Sequence, residues 1–389
     1  MNKWQQQLNE LPAKPHFPIG NLVEIGTNTG DMYLRDIATF AGTGTRVNPL
    51  EHQYLWAYQD PVQAYIHDTV CPEMPIMDFT TLIRYMDEET FYNEPDENMQ
   101  INKKSPTATI EFNSATQSVS LKGYALGVEI SAVEKKDAIT QYGSEKKYRA
   151  AAMEILKRMI LLKRERLVAT LFQTAGNFAS GYKGTLESGV WSARKKWSHN
   201  LATPLKDTEI ATQGIYDDLT GASATDCLPL LGVHNAIIFG NNISYYLKNN
   251  CGDVKGAVSI QSTGKNKAQP YIVDEALNQY FNKQVIIGRA LYNSTPNSAS
   301  TFTPTYIWAD YAVMTTLANS MGGASMTPSF AKTVVYQGKD IPNYKGWMMK
   351  SIPIPTMAGG MGGELIVVSY WATEKIFSQK LGWQLIVHS

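Results

Sequence analysis

The stretch that decides the reading is 145–175, EKKYRAAAMEILKRMILLKRERLVATLFQTA. It holds neither Gly nor Pro and is rich in strong helix formers, so it predicts one continuous helix stopped by Gly176 and Asn177. At a rise of about 1.5 Å per residue the rod is about 45 Å long. Tyr148, Ala152, Ile155, Leu156, Met159, Ile160, Leu167 and Leu171 fall on one face, with Leu161, Val168 and Phe172 widening it. Glu154, Lys157, Arg158, Arg164 and Glu165 gather opposite. The rod is therefore expected to pack along one side and show charge on the other. Between 144 and 172 eight basic residues stand against three acidic ones, a local +5. Two readings fit that face: a solvated helix surface on which Glu154 pairs with Arg158 at i, i+4, or a surface turned toward an enclosed polyanion.

Working toward the N-terminus, Ser131 and Glu134 have the spacing of a capping box, Gly143 is placed to end the short helix they start, and Ser144 to cap the rod. Before them, 108–131 reads as a strand in which Val119, Leu121, Tyr124, Leu126, Val128 and Ile130 largely alternate. A second strand is expected within 77–89, and the polar segment 92–106 separates the two. Together they predict a long two-stranded ribbon with a charged tip, Glu94, Asp96, Glu97, Lys103 and Lys104. Such a ribbon is marginal in water and calls for a partner surface. Residues 1–75 show little sustained periodicity and read as an extended arm without a core of its own, laid on a neighbour.

Toward the C-terminus a Gly-, Ser- and Trp-containing excursion at 180–203 leads into an α/β unit. It comprises a helix over 208–219, a buried strand 235–239, a short Asn-capped helix 242–250, a helix 273–280 and a second buried strand 284–289. The segments 305–315, 330–336, 347–354, 364–369 and 383–387 read as strands, GGMGG at 359–363 as a hairpin tip, and only a turn near Thr373 as helical.

The whole chain has 389 residues, with 35 basic and 35 acidic side chains, so it carries no net charge. A polynucleotide gripped by counterion release usually meets a basic excess, so any nucleic-acid contact is expected to be local and weak. No apolar run approaches a membrane span, and the first twenty residues lack the apolar core of a secretory signal; neither membrane nor secretion is expected. Cys71, Cys227 and Cys251 are scattered and read as reduced, packed thiols. The sequence holds no phosphate loop, dinucleotide fingerprint, H-E-x-x-H or G-x-S-x-G, and its six His lie too far apart in sequence for helical metal pairs. The S-x-x-K patterns at 144–147 and 192–195 and the acid run Asp87, Glu88 and Glu89 have bland readings as caps and solvated turn. No catalytic residue, metal ligand or cofactor is assigned.

The order of these pieces resembles the major capsid proteins of tailed bacteriophages, with the Hong Kong phage fold shared with encapsulins. IHDTVCPEMPI at 66–76 leads into the ribbon, SLKGYALGVEIS followed by VEKKDAI resembles the return strand and short helix, and KRMILLKRERLVATLF resembles the family's spine helix, above all at Arg164-Glu165. QVIIGRALYN, YIWADYAVM, SFAKTVVY and EKIFSQKLGWQLIV follow in the family's order. No single motif is specific; order and spacing carry the likeness over 67–389, and the arm before His67 and the 180–203 excursion depart from it.

The resemblance implies an α+β fold: an N-terminal arm (1–75), an extended two-stranded loop (76–131), a peripheral domain with the spine helix (132–205) that closes with the strands of 325–389, and an apical domain (206–324). It implies a non-enzymatic coat protein, in the virion after assembly in the host cytoplasm, forming hexamers and pentamers of an icosahedral shell around double-stranded DNA. A portal, a separate scaffolding protein and a decoration protein are its implied partners. On this reading the charged tip makes assembly contacts, and Lys157, Arg158 and Arg164 face DNA on the inner surface without sequence preference. The alternatives are an encapsulin-like compartment and a soluble enzyme with an unrecognised site in the α/β unit.

Overall fold

The structure, a computed structural model, describes residues 23–24, 65–86, 114–213, 235–261, 274–294, 303–317, 329–337, 346–355 and 360–388. In chain order the elements are β1 (Val23–Glu24), α1 (His67–Val70), β2 (Glu73–Ile76), β3 (Thr80–Met86), β4 (Ser114–Ser120), β5 (Lys122–Ser131), α2 (Ala132–Tyr142), α3 (Glu145–Gln173), β6 (Lys183–Thr185) and α4 (Pro204–Gln213). There follow β7 (Ala236–Gly240), α5 (Asn241–Asn249), α6 (Gly252–Gln261), α7 (Asp274–Phe281), β8 (Gln284–Gly288), β9 (Leu291–Asn293), β10 (Pro304–Tyr306), β11 (Tyr311–Thr315), β12 (Ala331–Tyr336), β13 (Trp347–Ile354), β14 (Gly363–Ile376) and β15 (Gly382–Ile386). No helix among the described residues is long and apolar enough to cross a membrane.

Two compact units divide these elements. The first holds β1, β5, α2, α3 as far as Ile160, β13, and β14 as far as Trp371. Here β5 lies between β1 and β14, and β13 pairs antiparallel with β14 from Trp347↔Tyr370 to Ile354↔Gly363. The connection between β13 and β14 carries Gly360 at φ 91° and Gly362 at φ 81°, a backbone that L side chains rarely adopt, so the glycine-rich hairpin is where the sequence puts it. Tyr124, Leu126, Val128 and Ile130 of β5 are buried, as are Ile366, Val368 and Tyr370 of β14. Ser131 caps α2 as read: its hydroxyl accepts from Glu134 N at 3.2 Å, Glu134 accepts from Ser131 N at 2.7 Å, and Gly143 closes the helix in the left-handed region.

The second unit holds a five-stranded sheet in the order β6-β15-β11-β7-β8, with β7 and β8 parallel and joined through α5, α6 and α7. It also holds the β3–β4 ribbon, the β9–β10 pair, and β12, flanked by parallel β2 and the last residues of antiparallel β14. One aromatic-rich core serves it, in which Phe330 stacks on Phe178 and meets Phe172 edge-on, and Gly382 leaves room for the Phe330 ring.

Several expectations are corrected. The strand read over 108–131 is two, broken at Leu121: β4 pairs with β3, while β5 joins the sheet of the first unit. The apolar alternation slips phase between Leu121 and Tyr124 at this break, and Gly123 there lies against the Trp371 ring, 2.8 Å from where a Cβ would stand. The last residues of the supposed arm belong to the chain's own core, with Val70 and Cys71 fully buried and β2 in register with β12. Segment 305–315 is likewise two strands; Thr373 lies inside β14 and not in a turn; and β15 sits in the α/β sheet and not with β12 and β14. The N-cap of α5 is Gly240, without a side-chain bond, and the Asn241 amide donates instead to Tyr306 Oη.

Candidate functional site

The predicted two-faced rod is corrected. The buried positions of α3 form one stripe in adjacent pairs, 152/153, 156/157, 160/161, 164/165 and 168/169, with Tyr148 and Phe172 at its ends. That is the helical repeat, but the stripe includes Lys157, 4% exposed, Arg164, 1%, and Glu165, 0%. Lys157 lies over the Trp347 ring, 5.3 Å from its centroid, and Arg158 is half-buried. Three charges expected on solvent are thus interior. A signal was present: Arg164 and Glu165 stand three and four residues after Leu161 and four and three before Val168, so they lie within the apolar stripe.

A buried charge persists only with partners, and those of Arg164 and Glu165 include residues of 66–73 and Trp308. Glu165 Oε2 accepts from Ile66 N at 3.1 Å and His67 N at 3.0 Å, the amides that open α1, and lies 2.8 Å from His67 Nδ1. Its Oε1 accepts from Trp308 Nε1 at 2.6 Å. Arg164 donates to Asp68 at 3.0 Å, with Glu73 at 3.7 Å. Cys71 lies in the same region: Thr333 Oγ1 donates to its carbonyl at 3.1 Å, and burial pushes its thiol up to about 12.

Trp308 also packs against the ends of two strands of the α/β sheet. In parallel α/β sheets ligands bind beyond the carboxyl ends of the strands. At the ends of β7 and β8 stand Gly240 and Gly288, where a Cβ would come within 2.2 Å of the Trp308 carbonyl oxygen and of its indole Cδ1 respectively. The chain's own tryptophan fills that place.

Two further charge clusters are structural in geometry. In the first unit Glu364 accepts from Arg149 at 2.7 Å and Ser351 at 2.7 Å and pairs with Lys135 at 3.0 Å. In the second, the Asp207 carboxylate accepts from Arg194 at 2.5 Å and Trp197 Nε1 at 2.9 Å. Among the described residues no group of His, Cys, Asp and Glu could hold a metal ion. The charged tip, Glu94, Asp96, Glu97, Lys103 and Lys104, lies outside the described residues, as does Cys227.

No family model matches the sequence, and no curated protein matches it. Solved structures do. A phage-related protein from Bordetella bronchiseptica RB50 superimposes with a TM-score of 0.60 at 16% identity, over 88% of this chain and 97% of that one. A putative capsid protein of an Escherichia coli CFT073 prophage gives 0.48 at 11%, over 88% and 99%, and an encapsulin from Synechococcus elongatus gives 0.41 at 8%, over 88% and 95%. At such identities the likeness is one of fold: the chain has the α+β class expected from its sequence and shares the fold of the Bordetella phage-related protein.

Proposed function

We propose that this chain is a shell-forming coat protein, the major capsid protein of a tailed bacteriophage, and that it performs no catalysis. The observation that carries the reading is the β3–β4 ribbon, a sheet of two strands whose outer row holds Leu82 at 69% exposure, beside an equally exposed Met77, on a chain with this fold. Two strands are marginal alone, and such a ribbon gains stability when laid on another surface. Repeated copies around a closed shell would cover it in every subunit. Against an enzyme stands Trp308, which fills the place where an α/β sheet takes a ligand.

On this reading the subunits form hexamers and pentamers around double-stranded DNA, with portal, scaffolding and decoration proteins as partners, in the virion after assembly in the host cytoplasm. The charged tip makes contacts between subunits. DNA contact is non-specific and, of the three helix residues named for it, falls to Arg158, because Lys157 and Arg164 are interior. Electron microscopy of the purified protein tests the proposal: closed, phage-sized shells are expected, small cargo-holding shells would favour the encapsulin-like reading, and particles of one or two chains at every concentration would overturn both.

A further inference from the structure

The sheet of the first unit has two unequal faces. Residues alternate sides along a strand and paired residues share one, so Met349, Ile366 and Val368 lie together with Trp347, which Lys157 of α3 covers, and all four are buried. Met348, Lys350, Ile352, Leu365, Val367 and Ser369 lie on the other side and are only half-buried. Gly127 of β5 belongs to this second face, since a Cβ there would stand 3.0 Å from Leu365 Cδ1 and 3.6 Å from Val367 Cγ2. Ala125, two residues away, shares the face, and β1 pairs Val23 with it. Because β1 is antiparallel to β5, its N-terminal end points along β5 toward Gly127.

Residues 1–22 lie outside the described residues, and their sequence opens with MNKWQQQLNEL followed by Pro12. Met1, Trp4, Leu8 and Leu11 recur at helical spacing, with Asn2, Lys3, Gln6, Asn9 and Glu10 left to the opposite side. A helix this short is marginal in water and needs a surface for its apolar stripe. We propose that 1–11 is an amphipathic helix docked on the half-buried sheet face of its own subunit, with Met1, Trp4, Leu8 and Leu11 against Met348, Ile352, Leu365 and Val367. The lengths agree: such a helix is about 16 Å long, and the strand from Leu365 to Ser369 runs about 13 Å. The tether names the occupant. Residues 12–22 span at most about 40 Å, which holds 1–11 beside the sheet at an effective concentration of roughly millimolar order, far above that of any second copy of the chain in dilute solution. The expectation of an arm laid on a neighbour is thereby narrowed to residues that follow β1. The proposal goes beyond the shell reading and does not depend on it.

Two adjacent methionines, one on each face, supply the test. The unassembled protein is treated with hydrogen peroxide, and sulfoxide at Met348 and Met349 is followed by fragmentation of the peptide 346–350. Trp4→Asp with Leu8→Asp removes the apolar stripe; Gln6→Asp with Asn9→Asp adds the same charge to the polar side. In the first variant Met348 should oxidise at least about fivefold faster than in the natural chain, while Met349 stays slow in all three proteins. An unchanged Met348, an equal gain in the second variant, or acceleration of Met349 alongside Met348 would each overturn the docking. Protection of Met348 that disappears when the natural chain is diluted would assign the face to a second copy and overturn it too. No shell is needed for the measurement, so its failure is distinguishable from failure of the shell reading, which microscopy decides.

Discussion

Trp308 Nε1 donates to Glu165 Oε1 over 2.6 Å, while the same residue's indole and carbonyl oxygen occupy the space that side chains at 288 and 240 would need. One residue therefore ties α3 to the ends of β7 and β8.

Alanine at either glycine should show how tightly that contact is built. Gly240→Ala presses a Cβ against the Trp308 backbone, which cannot swing aside, and Gly288→Ala presses one into the ring. Each should lower stability by about 1–3 kcal/mol, with the larger loss at 240. Gly176, with nothing within 4 Å of its added Cβ, is the control, and Gly176→Ala should stay within about 0.5 kcal/mol. Urea unfolding midpoints measure all three; equal effects at 176 and 240 would contradict the packing.

The thiols of Cys71 and Cys251 should be inert in the folded protein. Burial raises both, Cys71 to about 12, so the reactive thiolate is scarce at neutral pH. Alkylation followed by peptide mass analysis should find both unmodified in buffer and fully modified in denaturing urea. Labelling of either at a free-thiol rate without denaturant would contradict the packing around it.

Acid should loosen the first unit through Glu364. Burial alone would raise this carboxyl, but the Ser351 hydroxyl, Lys135 and Arg149 outweigh it and hold the group below its ordinary value of 4.5. A depressed carboxyl contributes stability that is fully present above its unfolded-state pKa and is lost as pH falls through the folded-state one. The stability gap between the natural chain and Glu364→Gln should therefore be widest near neutrality and narrow from about pH 4.5 downward. Unfolding midpoints taken from pH 6 to pH 3 measure this, and a gap independent of pH would refute the assignment.

Removing the cap at Ser131 should cost about 1 kcal/mol, because Ser131→Ala leaves the Glu134 amide without its acceptor and ends the hydroxyl's own bond to the Glu134 carboxylate. Circular dichroism during urea unfolding reads the loss; Ser131→Asn should recover most of it.

What local pattern encodes was legible in the sequence. The rod, its Ser144 cap, the Ser131–Glu134 box, the turn at Gly143, β7, β8, β13 and the hairpin before β14 all stand within a residue or two of where propensity and capping put them. What was not legible depends on partners far away in sequence. Nothing near Glu165 announces that His67 and Trp308 will meet it, and nothing near Gln384 announces β6. Two misreadings had local signs that were passed over: the phase slip at Leu121 and the place of Arg164 and Glu165 inside the apolar stripe. The face assigned to Ile155 and Met159 drew attention from the true one, which runs through Met153 and Lys157.

The position of β15 has a consequence for how the protein is made. It lies between β6 and β11, pairing Gln384 with Lys183 on one side and Val313 on the other. A nascent chain that has reached only residue 381 holds those two strands apart, their backbone groups unmet and Trp191 without the Trp383 ring against it. The sheet is thus completed by placing β15 between two strands that are synthesised before it. A fragment that stops before β15 cannot close this sheet, so β6 and β11 in it keep unpaired edges open to aggregation.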